Sequence, residues 1–413
     1  MILLIHKDES VLEIIDLKTN QLVKSKLKSS AQVLFNLAQD NTERILVWCH
    51  QSQKEYLNIE GIKSSFYLSN MMLSFSKNQY LPEQIGYVED SPFLKVNKDV
   101  KYPTWLMSSE VGAIHASQLI KFKTVIDNKN SFDFVLNTIA KMGMPNGLFC
   151  YSVPNLLKVN SSFTNGNRAS LSELFKFVKY HYKWIWSVLL LINIIINESK
   201  FPIIAFLKSI FIKQKTQKLD FDLNPINPTK VDFKKTVDVI IPTLGREKYL
   251  FNVLQDLSKQ TLLPEQVIIV EQNQDKNTKS ELEFISSRTW PFKIIHKFIH
   301  QTGACNARNL ALKFTTSDYI YLADDDNEFD NNLLKDIIYS MQYYSFSAIA
   351  MSYLQKNEVE KHKNTMQWGA FGGGSSVISS EFVDDVTFNM VYEFGYGEDT
   401  DFGMQLRNLG ADI

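Results

Sequence analysis

From residue 237 onward, apolar and polar positions follow two different rhythms. The segments "VDVIIP" (237–242), "QVIIVE" (266–271), "KIIHKF" (293–298) and "YIYLA" (319–323) are short apolar runs of strand length. Between them, "REKYLFNVLQDLSKQ" sets Leu250, Val253, Leu254 and Leu257 on one helical face, and "ACNARNLALKF" forms a second apolar-faced helix. Pro264 breaks the chain ahead of the second strand. Strands alternating with helices predict an α/β fold, a mostly parallel sheet covered on both faces. Ligands of such sheets sit beyond the carboxyl ends of the strands.

The earlier part of the chain is less regular. Residues 1–158 mix helical stretches with strand-like runs such as "ERILVWCH" and "EQIGYVED", which predicts a second α/β domain. Ser170 and Glu173 have the spacing of a capping box that opens a helix. Segment 171–214 then combines long apolar runs with Trp, Tyr and Lys. Its longest stretch, Ile185 to Ile196, falls short of the roughly 20 residues that span a bilayer. Two readings are open: a buried helical pair between domains, or a peripheral, interfacial helix anchored by Trp184, Trp186 and lysines. The polar "DFDLNPINPTKVDFKK", with two Asn-Pro pairs, reads as a linker. The expected division is 1–158, a helical and linker segment 159–235, and a catalytic domain 236–413.

Composition narrows the field. With 413 residues, 45% hydrophobic, the chain can bury more than one core. A formal net charge of -1 gives no field that would attract nucleic acid. Cys49, Cys150 and Cys305 are odd in number and far apart, which argues for a reducing compartment and against a disulfide framework or zinc site. The opening "MILLIHKDES" is too short in apolar residues for a secretory signal, so the expected location is the cytoplasm. The histidines show no paired metal-ligand spacing.

The chemistry concentrates in two places. Asp324, Asp325 and Asp326 follow directly on an apolar strand. In extended chain, Asp324 and Asp326 would face one ligand and Asp325 another side. Carboxylates so placed suit a hard cation such as Mg²⁺ or Mn²⁺, itself bridging to phosphate. The bland alternative is a solvated acidic turn before "DNNLLKDIIYSM". Glu398 and Asp399, in "GYGEDTDFGMQLRNLG", open a second helix, either as acidic caps that favour its dipole or with one acting as a general base. Gly372, Gly373 and Gly374, just upstream, let backbone approach a ligand closely.

Taken together, residues 237–413 resemble the inverting family 2 glycosyltransferases of GT-A fold. The resemblance rests on "VDVIIPTLGR", "VIIVEQNQD", "TGACNARNLAL", "YLADDDNEF" (the DXD motif), "FGGGSSVIS" and "GEDTDFGMQLRNLG", in the family's order. It implies a GT-A, Rossmann-like sheet sandwiched by helices, preceded here by the second α/β domain and the helical linker. It also implies a nucleotide-diphosphate sugar donor, a divalent cation, and a glycan or lipid-linked acceptor, with transfer in cell-surface glycan synthesis. By position, Thr243, Arg246, Glu271, Gly303, Arg308, Asp324 and Asp325 are expected on the donor, with Asp326 and Asp324 on the metal. Trp368, Gly372, Gly373 and Glu398 are expected on the acceptor side, and Asp399 as the base.

Two departures stand out. The second strand ends Glu271-Gln272-Asn273-Gln274, where the family commonly has Asp-Asp-Gly-Ser, so a UDP-sugar is only the default donor. The chain stops at Ile413, soon after the catalytic helix, which suggests a C-terminally truncated domain. A rival reading is an inactive scaffold or glycan-binding protein. A sugar-phosphate nucleotidyltransferase would want a glycine-rich basic loop after the first strand, and "IIPTLGREKY" has one glycine. The first 155 residues read as a degenerate, non-catalytic copy of the same domain. In that reading "EQIGYVEDSPF" stands for "DYIYLADDDNEF", "WLMSSEVGAIHAS" for "WGAFGGGSSVISS", and "FDFVLNTIAKMGMPNGL" for the last helix.

Overall fold

The computed structural model describes residues 1–89, 96–158, 168–216, 218–355, 357–360, 364–367 and 371–413. The chain divides into two compact units, Met1–Ile226 with Asn364–Gln367, and Asn227–Lys363 with Trp368–Ile413. The boundary falls between the two Asn-Pro pairs. Asn224 and Ile226 are still tied to the first unit, through Ser69 N–H to the Asn224 carbonyl (2.8 Å) and Ile226 N–H to the Tyr67 carbonyl (2.9 Å).

In the first unit the strands are β1 (Ile2–Lys7), β2 (Ser10–Asp16), β3 (Gln21–Leu22), β4 (Ile45–His50), β5 (Met71–Phe75), β6 (Tyr102–Pro103), β7 (Val111–His115) and β8 (Phe149–Ser152). They form one sheet in the order β3-β2-β1-β4-β7-β5-β8-β6. The segment "EQIGYVED" is no strand: Glu83–Tyr87 is a 3-10 turn. Its apolar positions Ile85 and Gly86 are buried all the same, which is why a short apolar run misled.

The helices at 171–210 are not a separate segment, contrary to the expected division. Leu174, Phe175, Phe177 and Val178 of the helix Leu171–His181, with Leu190 and Ile194 of Trp184–Glu198, belong to the core of the first unit. The capping box at Ser170 is present: its Oγ accepts the Glu173 N–H at 3.3 Å, and the Glu173 carboxylate accepts the Ser170 N–H at 3.0 Å.

The second unit has β9 (Val237–Leu244), β10 (Gln266–Gln272), β11 (Lys293–Ile299), β12 (Tyr319–Ala323), β13 (Ala348–Ala350) and β14 (Ser375–Ser379), ordered β11-β10-β9-β12-β14-β13. The pairs β9–β10, β10–β11 and β9–β12 are parallel, and β14 runs antiparallel to both β12 and β13. Side-chain alternation then decides which helix covers which face. Val239, Ile241, Val267, Ile269 and Tyr321 pack under the helices Glu247–Ser258 and Leu333–Tyr343. Ile240, Ile268, Val270, Ile320 and Leu322 pack under Ala304–Leu312 and Glu398–Asn408. This is the expected α/β sandwich of Rossmann-like form, and it leaves the carboxyl ends of β9, β10 and β12 at one edge.

Candidate active site

At the end of β9, Thr243 is buried and its Oγ1 donates to Asp325 Oδ2 at 2.6 Å. Three residues on, Arg246 Nη1 lies 3.1 Å from Asp325 Oδ1 and 2.7 Å from Asp326 Oδ2. Arg308, buried on the helix Ala304–Leu312, donates from Nη2 to Asp324 Oδ1 at 2.9 Å, over the ring of Phe388. The expected grouping of the triple aspartate is therefore corrected. Asp325 and Asp326 share one guanidinium, and Asp324 has the other. The reason is local: β12 ends at Ala323, and Asp324 N–H turns back to donate to Asn327 Oδ1 at 2.7 Å, so the extended alternation stops.

Burial raises the pKa of Asp325, with Thr243 and Arg246 opposing it, and the two carboxylates raise that of Arg246. Asp325 is thus a holding group. Asp326 is different: its side chain is 47% exposed, and its Oδ1 has no hydrogen bond among the described residues. Among those residues no three His, Cys, Asp or Glu side chains converge on a possible metal position. The donor chemistry nevertheless fits Mg²⁺ or Mn²⁺, which take one or two carboxylates and complete their shell from water and substrate phosphate.

Two of the three glycines before β14 stand where a side chain has little or no space. A Cβ on Gly374 would stand 1.9 Å from Asp324 Oδ2, and one on Gly373 would stand 3.1 Å from Arg308 Nη1. Gly372 has ordinary room. Trp368, expected on the acceptor side, lies outside the described residues.

Arg308 also joins the two constellations. Its Nη1 is 3.8 Å from Glu398 Oε1, so the first turn of the helix Glu398–Asn408 meets the same guanidinium as Asp324. Asp399, next along that turn, uses Oδ1 to accept the Thr400 N–H at 2.6 Å, while its Oδ2 has no partner among the described residues. Asp401 is engaged with Gln405 at 2.7 Å.

Other expected residues have partners within the fold. Both oxygens of buried Glu271 are occupied: Oε1 accepts the Glu281 N–H at 2.9 Å, and Oε2 lies 2.8 Å from His296 Nε2. Gly303, at φ 132°, donates its N–H to Gln272 Oε1 at 2.6 Å. One residue escaped the sequence reading: Glu393 accepts the N–H groups of Cys305 (3.0 Å) and Asn306 (2.8 Å), capping the helix that carries Arg308. No short-range spacing signals this, since the cap comes from almost ninety residues away. Burial first, with Glu393 and Glu398 adding to it, pushes the Cys305 thiol up to about 11, which keeps it protonated and unsuited to nucleophilic work.

Comparison with known proteins bears on the family. Residues 238–396 match the family model "Glycosyl transferase family 2". A protein described as an uncharacterized glycosyltransferase of Rickettsia bellii (strain RML369-C) is 27% identical over 137 residues, covering 33% of this chain and 19% of that protein. The chain thus spans about a fifth of that relative's length. Among solved structures, S. aureus TarS 1–349 is 20% identical over 43% of this chain and 56% of that chain, with a TM-score of 0.35. The mannosyltransferase PcManGT of Pyrobaculum calidifontis, in complex with GDP-Man and Mn2+, is 15% identical over 44% of this chain and 55% of that chain, with a TM-score of 0.34. At such TM-scores these two likenesses carry no argument. The family match covers residues 238–396, and most of the motifs quoted above lie within it.

Proposed function

We propose that the domain at residues 238–396, with the helix that follows, is a metal-assisted, inverting glycosyltransferase acting on a nucleotide-diphosphate sugar. The observation that carries the reading is the double engagement of Arg308, with Asp324 on one side and Glu398 on the other. A single buried cation then connects a diphosphate-binding strand end to the helix that bears the candidate base.

Asp326 would hold the divalent cation, while Asp324 stays paired with Arg308. When bound, that ion neutralises charge on the diphosphate. Arg308 and Arg246 supply fixed positive charge where negative charge grows on the leaving diphosphate. Thr243 and Arg246 keep Asp325 in place and so fix the turn that presents Asp326. Asp399 Oδ2 accepts the proton of the acceptor hydroxyl, whose oxygen attacks the anomeric carbon as the bond to the diphosphate oxygen breaks. One displacement inverts that carbon. The acceptor class we favour is a glycan or lipid-linked sugar of the cell surface, made on the cytoplasmic side, with a UDP-sugar as the default donor.

The test is a melting-temperature screen of nucleotide sugars with and without Mn²⁺, since a ligand that binds only the folded state raises its stability. The expected result is stabilisation by one nucleotide class that needs the cation and disappears in Asp326→Ala. Stabilisation independent of both cation and Asp326 would remove the metal from the proposal. A screen with no responding nucleotide would favour the inactive-scaffold reading.

A further inference from the structure

The helices Trp184–Glu198 and Ile203–Ile210 are apolar on the side that packs and also on the side that does not. In the first, Ser187, Leu190 and Ile194 are buried against the first unit, while Ile185, Leu189, Ile192 and Ile196 form an exposed stripe at helical spacing. In the second, Ala205 and Ser209 are buried, and Ile203, Ile204, Leu207 and Ile210 are exposed. Exposure reaches 72% at Ile196 and Ile204 and 88% at Phe211 just beyond. A helix apolar on all sides normally lies buried, and so large an exposed patch marks an interaction site.

Charge decides between occupants. Between residues 182 and 219 six exposed lysines (Lys183, Lys200, Lys208, Lys213, Lys215 and Lys218) stand against one carboxylate, Glu198, which is tied to Lys200 at 2.9 Å. A second copy would set the same cationic patch against itself, because a two-fold interface is self-complementary. An anionic bilayer offers both what the stripe needs and what the lysines need. Trp184 and Trp186, both exposed beside Lys183, are the aromatic type that sits at headgroup level. Spanning is ruled out for these helices: none among the described residues is long and apolar enough to cross a membrane.

We infer that this two-helix face docks the protein flat on an anionic phospholipid surface, with the apolar stripes in the headgroup–acyl boundary and the lysines over the lipid phosphates. The inference goes beyond the proposed transfer reaction and does not depend on it.

Flotation of the full chain with phosphatidylcholine vesicles, with and without phosphatidylglycerol, tests it. The expected result is salt-sensitive flotation with the mixed vesicles and much less with phosphatidylcholine alone. The double variant Ile204→Asp/Phe211→Asp changes two exposed side chains, so it should keep the melting temperature and lose flotation. Lys208→Gln and Lys213→Gln should each weaken binding to mixed vesicles by about fivefold at low salt. Absence of flotation by the folded wild-type chain overturns the inference, as does undiminished flotation of the aspartate variant. Concentration-dependent dimers of the wild type that dissolve in that variant would assign the face to a second copy and overturn it equally.

Discussion

Asp399 is the residue on which the mechanism turns, and its surroundings separate chemistry from capping. One oxygen accepts the Thr400 N–H and the other is unpartnered among the described residues, whereas Asp401 is bound to Gln405. Asparagine keeps the shape and much of the capping ability of aspartate. Asp399→Asn should therefore hold its melting temperature and donor binding yet lose transfer by about 10²-fold or more. Asp401→Asn, the matched change two residues along the same helix, should lose little. Loss of transfer in Asp401→Asn but not in Asp399→Asn would move the base to the other carboxylate. A second residue-scale prediction concerns Asp133, buried in the first unit and accepting both N–H and Oγ–H of Ser109 at 2.8 Å. Burial, outweighing those two bonds, lifts its pKa from 3.8 to about 7, and Glu9 and Glu110 add to the rise. The folded state then holds a proton that the unfolded state releases, so the stabilisation is full below about pH 4 and is lost as pH rises toward 7. Asp133→Asn should flatten that part of the melting-temperature profile, and an unchanged slope between pH 4 and 7 would contradict the assignment.

Elements were legible where periodicity is strong. Leu250, Val253, Leu254 and Leu257 are the four buried positions of the helix Glu247–Ser258, as their spacing predicts. The strand starting at Tyr319 and the capping box at Ser170 also follow from local pattern. What local pattern could not carry is the long-range part. The Glu393 cap on the helix Ala304–Leu312 depends on where the chain goes next, whereas the turn at Asn327 that regroups the aspartates is local and escapes a reading that carries the strand alternation past Ala323. The apolar helices at 184–210 were ambiguous for a physical reason: both sides of each helix are apolar, so spacing alone could not say which side packs. The cap yields a prediction. Gly303 combines φ 132° with a Cβ position 2.1 Å from the Glu393 carboxyl carbon. Gly303→Ala should cost about 1–3 kcal/mol for the backbone strain, and more as Glu393 is expelled from the helix end. Gly245, at φ 63° with nothing within 4 Å of its Cβ position, is the control. Gly245→Ala should cost only about 1–2 kcal/mol, the left-handed penalty. Equal losses in chemical denaturation would show that the Glu393 contact is not tight.

At the scale of the molecule, the two sheets share a strand order. β3-β2-β1-β4-β7-β5 runs in the same sequence of positions as β11-β10-β9-β12-β14-β13, and β1–β4–β7–β5 matches β9–β12–β14–β13 in every parallel or antiparallel pairing. They differ at both sides: the first sheet runs on past β5 into β8 and β6, and the pairing next to β1 changes. β1 and β2 form a tight antiparallel hairpin, where β9 and β10 are parallel and joined through a helix. Among the described residues the first unit thus has no counterpart of the strand-to-helix connection after β9, at whose start Thr243 and Arg246 lie. Its strand in the place of β12 is β4, ending at His50, and not the "EQIGYVED" segment. We propose that the first unit has no donor site of its own. The most direct test of the whole account is calorimetric titration of the intact chain with the nucleotide sugar that the melting screen selects, in Mn²⁺. One site per chain is expected, with affinity that collapses on chelation of the cation and in Asp326→Ala. Two equivalent sites, or one whose affinity ignores both the cation and Asp326, would contradict it.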